Sequence, residues 1–134
     1  MNTALAYVRF MQKHLSHLEK SHEVNGEETG TFLRIEPLTM TPNNHIVPLV
    51  TISSNTDGVR PLKQREIVVL TSRVHPRETN SSWIMEGVLS WLVTSRSSKA
   101  KELRSKFVFK IIPMLNVEGV INGWLVKDCL IFLS

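Results

Sequence analysis

Cysteine occurs once among the 134 residues, as Cys129, so no disulfide can close within the chain and no cysteine-based zinc site can be assembled from it. No run reaches the roughly 18 apolar residues that a membrane-spanning helix needs. The N-terminal stretch MNTALAYVRFMQKHL has no uninterrupted apolar core, so no signal peptide is expected in it. These absences predict a soluble, cytoplasmic chain in a reducing compartment. Runs of one charge are missing too: the 16 Lys and Arg against 12 Asp and Glu leave a net charge of +4, spread along the sequence. Scattered basic residues point to a solvated, mildly basic surface and away from nucleic-acid binding, and such a surface also suits steering of an acidic substrate. There is no internal repeat or low-complexity tract. A content of 42% hydrophobic and 21% charged residues is that of one ordinary globular domain.

The apolar residues Leu5, Val8, Met11, Leu15 and Leu18 recur at helical spacing, which predicts an amphipathic first helix ending before a polar loop from Ser21 to Gly30. Extended segments from Phe32 to Met40 and from Ile46 to Ser53 flank the turn-forming TPNNH and predict a β-hairpin. The β-branched run EIVVLTS predicts a strand buried on both faces. A second helix is expected from Ser81 to Thr94, with an apolar stripe of Ile84, Met85, Val88, Leu89 and Leu92. Gly87 within it predicts close approach to the sheet. A short helix from Lys99 to Lys106 and a strand FVFKIIP follow. Strand, helix and strand in that order make a βαβ unit with parallel pairing and a right-handed crossover. The fold class is therefore α/β with an antiparallel hairpin alongside.

His75 and Glu78 lie at the carboxyl end of the EIVVLTS strand, where open α/β sheets bind their ligands. An imidazole and a carboxylate three residues apart on a tight loop can both face one zinc ion. By chance alone, a chain of this composition carries about 0.4 such pairs, so the spacing by itself reads more readily as an ordinary surface loop. His14, His17 and His22 read as a solvated polar face. Asn80, Ser81 and Ser82 read as a helix cap, and Trp83 and Trp91 as packing residues.

Two longer blocks decide between these readings. LTSRVHPRETNSSWIMEGVLSWL and FVFKIIPMLNVEGVING resemble the cytosolic zinc carboxypeptidases that remove glutamate from tubulin and related tails, whose pattern is R-V-H-P-G-E-T-N-x-S-W, a helix, then F-V-F-K-I-x-P-M-L-N-P-D-G-V-I-N-G. The resemblance implies a mixed-sheet α/β/α sandwich and makes His75 and Glu78 the first two zinc ligands. A downstream His then completes the set, and a downstream Glu serves as general base. It implies a cytoplasmic enzyme acting on peptide or protein C-terminal tails, without nucleic-acid or membrane partners.

The match is imperfect in three places. Arg77 replaces the family's Gly, which makes a left-handed backbone costly there. The digestive branch has an H-S-R-E version of the motif whose Arg faces the substrate cleft, and on that likeness Arg77 contacts a substrate carbonyl or carboxylate; the residue reads equally as a solvent-facing Arg. Val117 and Glu118 replace Pro and Asp in N-P-D-G, which removes a fixed φ and adds a methylene. After Gly123 the family continues with N-x-R-C-S-L and D-L-N-R, whereas this sequence reads WLVKDCLIFLS. Residues 1–123 are thus expected to be the front part of a catalytic domain, and 124–134 an unrelated tail. An incomplete sandwich should also expose sheet edges to aggregation or to partners, and the chain alone is expected not to hydrolyse peptides. The competing readings are a non-catalytic fragment that binds partners and a related zinc deacylase.

Overall fold

The computed structural model describes residues 3–56 and 60–123. Helix α1 spans Thr3–Thr29 and leads into the hairpin of β1, Thr31–Met40, and β2, Ile46–Ser54. A short 3-10 turn at Leu62–Gln64 precedes β3, Glu66–Thr71. Helices α2, Thr79–Thr94, and α3, Ser98–Lys106, then connect β3 to β4, Phe107–Ile112, and α4 covers Val117–Asn122. The strands form one mixed sheet in the order β1-β2-β4-β3. The hairpin and the β2–β4 pair are antiparallel, while β3 and β4 run parallel with Glu66 opposite Phe107 and Thr71 opposite Ile112. The α/β class, the hairpin and the parallel βαβ unit are as the sequence pattern predicts. The boundary expected at Gly123 leaves the segment 124–134 outside the described residues.

The core lies between one face of the sheet and the helices. Met11, Leu15 and Leu18 of α1 and Met85, Leu89, Leu92 and Val93 of α2 bury against Val50, Ile52, Phe109 and Ile111. The side chains of Leu5 and Val8, which the sequence places on the same stripe, lie outside the described residues. A smaller cluster of Val47, Met114, Val117 and Val120 seats α4 at the end of the sheet where β3 and β4 finish.

Four local expectations are corrected. Helix α1 does not stop at Ser21 but runs to Thr29, because its last turn is held by tertiary contacts that a polar sequence does not announce. The Thr29 carbonyl accepts from Arg104 Nη2 at 2.9 Å, and Gly30, at φ +63°, supplies the left-handed residue that ends the helix. Strand β3 is buried on one face only. Val68 and Leu70 pack against the core, but Ile67 and Val69 on the other face remain 65% and 61% exposed, since β3 is an edge strand and no helix among the described residues covers that side. In α2, Ile84 is exposed and Val93 replaces it on the buried stripe. Gly87 faces open space, with nothing within 4 Å of the position a Cβ would take, so no close approach requires a glycine there.

Trp83 and Trp91 are exposed on the outside of α2 and do not pack in the core as expected. Of the histidines read as a solvated face of α1, His17 is exposed as expected, whereas His14 and His22 are half-buried. His14 Nδ1 lies 3.5 Å from Glu86 Oε1 on α2, and His22 Nε2 lies 2.6 Å from the Thr31 carbonyl.

Candidate metal centre

The loop that carries His75 and Glu78 is an extension of the parallel ladder. Beyond Thr71, the Ser72 amide donates to the Ile112 carbonyl at 3.1 Å, and the Leu115 and Asn116 amides donate back to the Ser72 and Arg73 carbonyls at 2.9 and 3.2 Å. The chain then turns away at Arg73, whose φ of +53° is a left-handed conformation that costs an L-residue about 1–2 kcal/mol. Among the described residues, Arg73 and Asn44 are the non-glycine positions with positive φ. The expected strain is therefore not at Arg77, where the family has glycine, but four residues earlier.

Arg73 is nearly fully buried. Its Nε and Nη2 both donate to the Pro76 carbonyl, at 3.0 and 2.7 Å, and its Nη1 donates to Ser82 Oγ at 3.0 Å. Ser72 Oγ donates to the Ser81 carbonyl at 2.9 Å. Sequence reasoning missed Ser72 and Arg73, and it read Ser82 as a helix cap and not as a partner of Arg73. The signal was available in the polar residues flanking the motif, but their hydrogen-bond partners are set by the turn and not by the spacing.

Between these anchors lie the three residues singled out from the sequence. His75 is half-buried, and its Nδ1 is buried without a hydrogen-bond partner. Glu78 is exposed and precedes α2 as its N-cap residue, with no side-chain bond of the usual capping kind. Its Oε2 lies 3.4 Å from the His75 amide, at the long end of a hydrogen bond, while the Glu78 amide donates to the His75 carbonyl at 3.1 Å. The cap expected from Asn80, Ser81 and Ser82 is not what is seen: α2 begins earlier, at Thr79, and Ser81 Oγ donates to the Glu78 carbonyl at 2.6 Å. Arg77 is exposed at the crest of the loop.

The pair suits a zinc ion as far as it goes. A buried imidazole nitrogen without a partner carries a desolvation cost that a metal would relieve, and the carboxylate beside it is only weakly engaged. Zinc centres of hydrolases take three protein ligands, and among the described residues no cluster of three or more His, Cys, Asp or Glu exists.

The second loop, after β4, is built around Asn116 and Glu118. Asn116 caps α4, its Oδ1 accepting from the Gly119 amide at 2.8 Å. A Cβ on Gly119 would meet that oxygen at 2.6 Å, so glycine is required by the cap. Glu118, buried, accepts from the Asn122 side-chain amide at 2.9 Å and from Asn43 in the hairpin turn. Burial pushes its pKa up, but the hydrogen bonds from Thr41, Asn43 and Asn122 and the nearby His45 together outweigh that, and its pKa lies below the ordinary value. The longer side chain that departs from the N-P-D-G pattern thus reaches the β1–β2 turn and ties it to α4.

This mixed sheet, with a His and Glu pair at the carboxyl end of its parallel strands, is the fold of carboxypeptidases. A putative carboxypeptidase A from Shewanella denitrificans superposes with a TM-score of 0.65 at 24% identity, covering 86% of this chain and 27% of that one. Bovine thrombin-activatable fibrinolysis inhibitor superposes with a TM-score of 0.59 at 16% identity, covering 88% of this chain and 34% of its own.

The zinc carboxypeptidase family model matches residues 22–128, and the chain belongs to that family. Human cytosolic carboxypeptidase 4 is 46% identical over 118 residues, which are 84% of this chain and 10% of the relative. Mouse cytosolic carboxypeptidase 1 is 41% identical over 118 residues, 84% of this chain and 9% of the relative. The chain thus spans about a tenth of the length of these curated relatives. No helix among the described residues is long and apolar enough to cross a membrane.

Proposed function

We propose that His75 and Glu78 are two of the zinc ligands of a cytoplasmic metallocarboxypeptidase that trims acidic C-terminal tails of peptides or proteins, tubulin among them. The observation that carries this reading is the buried, unpartnered Nδ1 of His75 on the same loop as a carboxylate whose Oε2 lies 3.4 Å from the His75 amide. When bound, zinc supplies a Lewis acid that polarises the scissile carbonyl. What this chain contributes is the placement of two ligands on a loop fixed to the ends of β3 and β4. Arg77, exposed between them, is suited to hold a substrate carbonyl or carboxylate through its forked donors. The basic net charge of +4 favours acidic tails in the encounter.

The 134 residues contain no match to the motifs that carry the family's third ligand, substrate-clamping Arg and general-base Glu, so the chain by itself binds zinc weakly and does not hydrolyse peptides. Titration of zinc into the labelled chain, followed through the amide spectra of residues 73–80, tests the ligand assignment. Shifts confined to this loop and abolished in both His75→Ala and Glu78→Ala are expected; a response indifferent to both substitutions refutes it. Zinc-dependent release of a C-terminal glutamate by the purified chain would refute the claim of inactivity. The exposed Ile67 and Val69 favour a second reading, a binding module, which the same titration separates by showing no loop response.

A further inference from the structure

We propose that Arg73 is the positioning residue of the candidate centre, a buried guanidinium that holds the segment from His75 to Glu78 in the geometry needed to bind metal. The proposal rests on the zinc-ligand reading for its metal readout but not for its loop readout. Arg73 occupies a backbone conformation that glycine would adopt without strain, at φ +53°, so whatever keeps an arginine there has to offset that strain. The side chain supplies the compensation. Its Nε and Nη2 grip one oxygen, the Pro76 carbonyl, at 3.0 and 2.7 Å, and its Nη1 reaches Ser82 Oγ at 3.0 Å.

These contacts bracket both candidate ligands. His75 sits in the short loop closed between the Arg73 backbone and the Pro76 carbonyl. Glu78 sits between Pro76 and Ser82, the two points where the guanidinium is bound. Proline has no amide hydrogen, so the Pro76 peptide can be fixed from its own residue only through the carbonyl that Arg73 holds. At the other side, the Asn116 amide donates to the Arg73 carbonyl at 3.2 Å, which anchors the same residue to the loop after β4. Arg73 thus joins the sheet end, the ligand loop and the first turns of α2. Ligands held in place before the metal arrives lose less conformational freedom on binding it.

The test compares wild type with Arg73→Gly, Arg73→Lys, Ser82→Ala and His75→Ala in the full chain, using amide hydrogen exchange and zinc titration. Arg73→Gly removes the backbone strain together with the staple. We expect the amides of His75, Glu78 and Thr79 to exchange about tenfold faster, those of β2 and β4 to be unchanged, and zinc binding to weaken about tenfold. Arg73→Lys, with one ammonium in place of a fork, should restore these readouts only in part. Unchanged loop protection in Arg73→Gly, or an increase spread evenly over the sheet, overturns the proposal. Should Arg73→Gly not fold, Ser82→Ala decides: a rise of about threefold confined to the loop supports the staple, and no rise overturns it. If His75→Ala binds zinc as wild type does, the ligand reading fails, and the exchange comparison still decides the role of Arg73.

Discussion

Arg104 is fully buried, at 0% exposure, and replacing it with methionine should be the most damaging conservative-volume change in the domain. From α3 its Nη1 donates to the Leu92 carbonyl at 2.8 Å and its Nη2 to the Thr29 carbonyl at 2.9 Å, and both reach the Ser95 carbonyl at 3.2 and 3.1 Å. Those oxygens belong to the last turns of α1 and α2, whose terminal carbonyls have no partner within their own helices. One side chain therefore caps two helices and seals their junction with β1.

In the methionine variant, each buried carbonyl left without a donor costs about 1–3 kcal/mol. The Thr29 and Leu92 bonds are buried, whereas the Ser95 bonds are partly so, and water can replace them. Against this stands relief from burying a cation, a cost visible in the pKa of Arg104, which desolvation lowers. The balance is a loss of about 2–4 kcal/mol, a large part of the 5–15 kcal/mol typical of a domain.

At this size that corresponds to a fall in melting temperature of roughly 6–16 °C. Urea unfolding followed by circular dichroism should show a lower midpoint with an unchanged slope. A loss below about 1 kcal/mol would refute the reasoning, since it would mean that water or a shifted helix end satisfies all three carbonyls without Arg104.

Two further outcomes follow from the structure. Glu118 has its pKa held below 4.5 in the fold, so between its folded and unfolded values the unfolded chain binds more protons. Its contribution is therefore complete above pH 4.5 and is lost as the pH falls through the lower folded value. Glu118→Gln should unfold at lower urea than wild type at pH 7, with the gap narrowing as the pH falls below 4.5; a gap that widens in acid contradicts the assignment. The double substitution Ile67→Lys and Val69→Lys changes side chains that are 65% and 61% exposed. It should leave the melting temperature within roughly 2 °C while reducing self-association in sedimentation velocity, because edge strands are guarded by charge. A wild-type chain that stays monomeric at the highest soluble concentration would show that this edge needs no guarding.

Much of the fold was legible because it follows from periodicity. The β-branched runs, the TPNNH turn and the helical spacing of α2 each have a local cause, and the elements they predict appear within a few residues of the expected bounds. The misjudged features depend on partners distant in sequence. Helix α1 reaches Thr29 because Arg104, 75 residues away, donates to its last carbonyl. The open face of β3 is a property of sheet order, and an apolar run reads the same at an edge as in the centre. His22 looked solvated because nothing in its neighbourhood announces the Thr31 carbonyl that it meets.

The candidate centre divides along the same line. Residue type and spacing only made His75 and Glu78 candidates, and the two longer blocks around them singled the pair out. The hydrogen bonds around them were invisible, because they come from an arginine in a glycine-like backbone state and from serines bonded across the turn. The substitution of Arg for Gly at position 77 drew attention as the point of strain, yet the strained residue is Arg73. The hydrogen bonds that fix the loop belong to the flanks of the motif, and two of them converge on the Pro76 carbonyl.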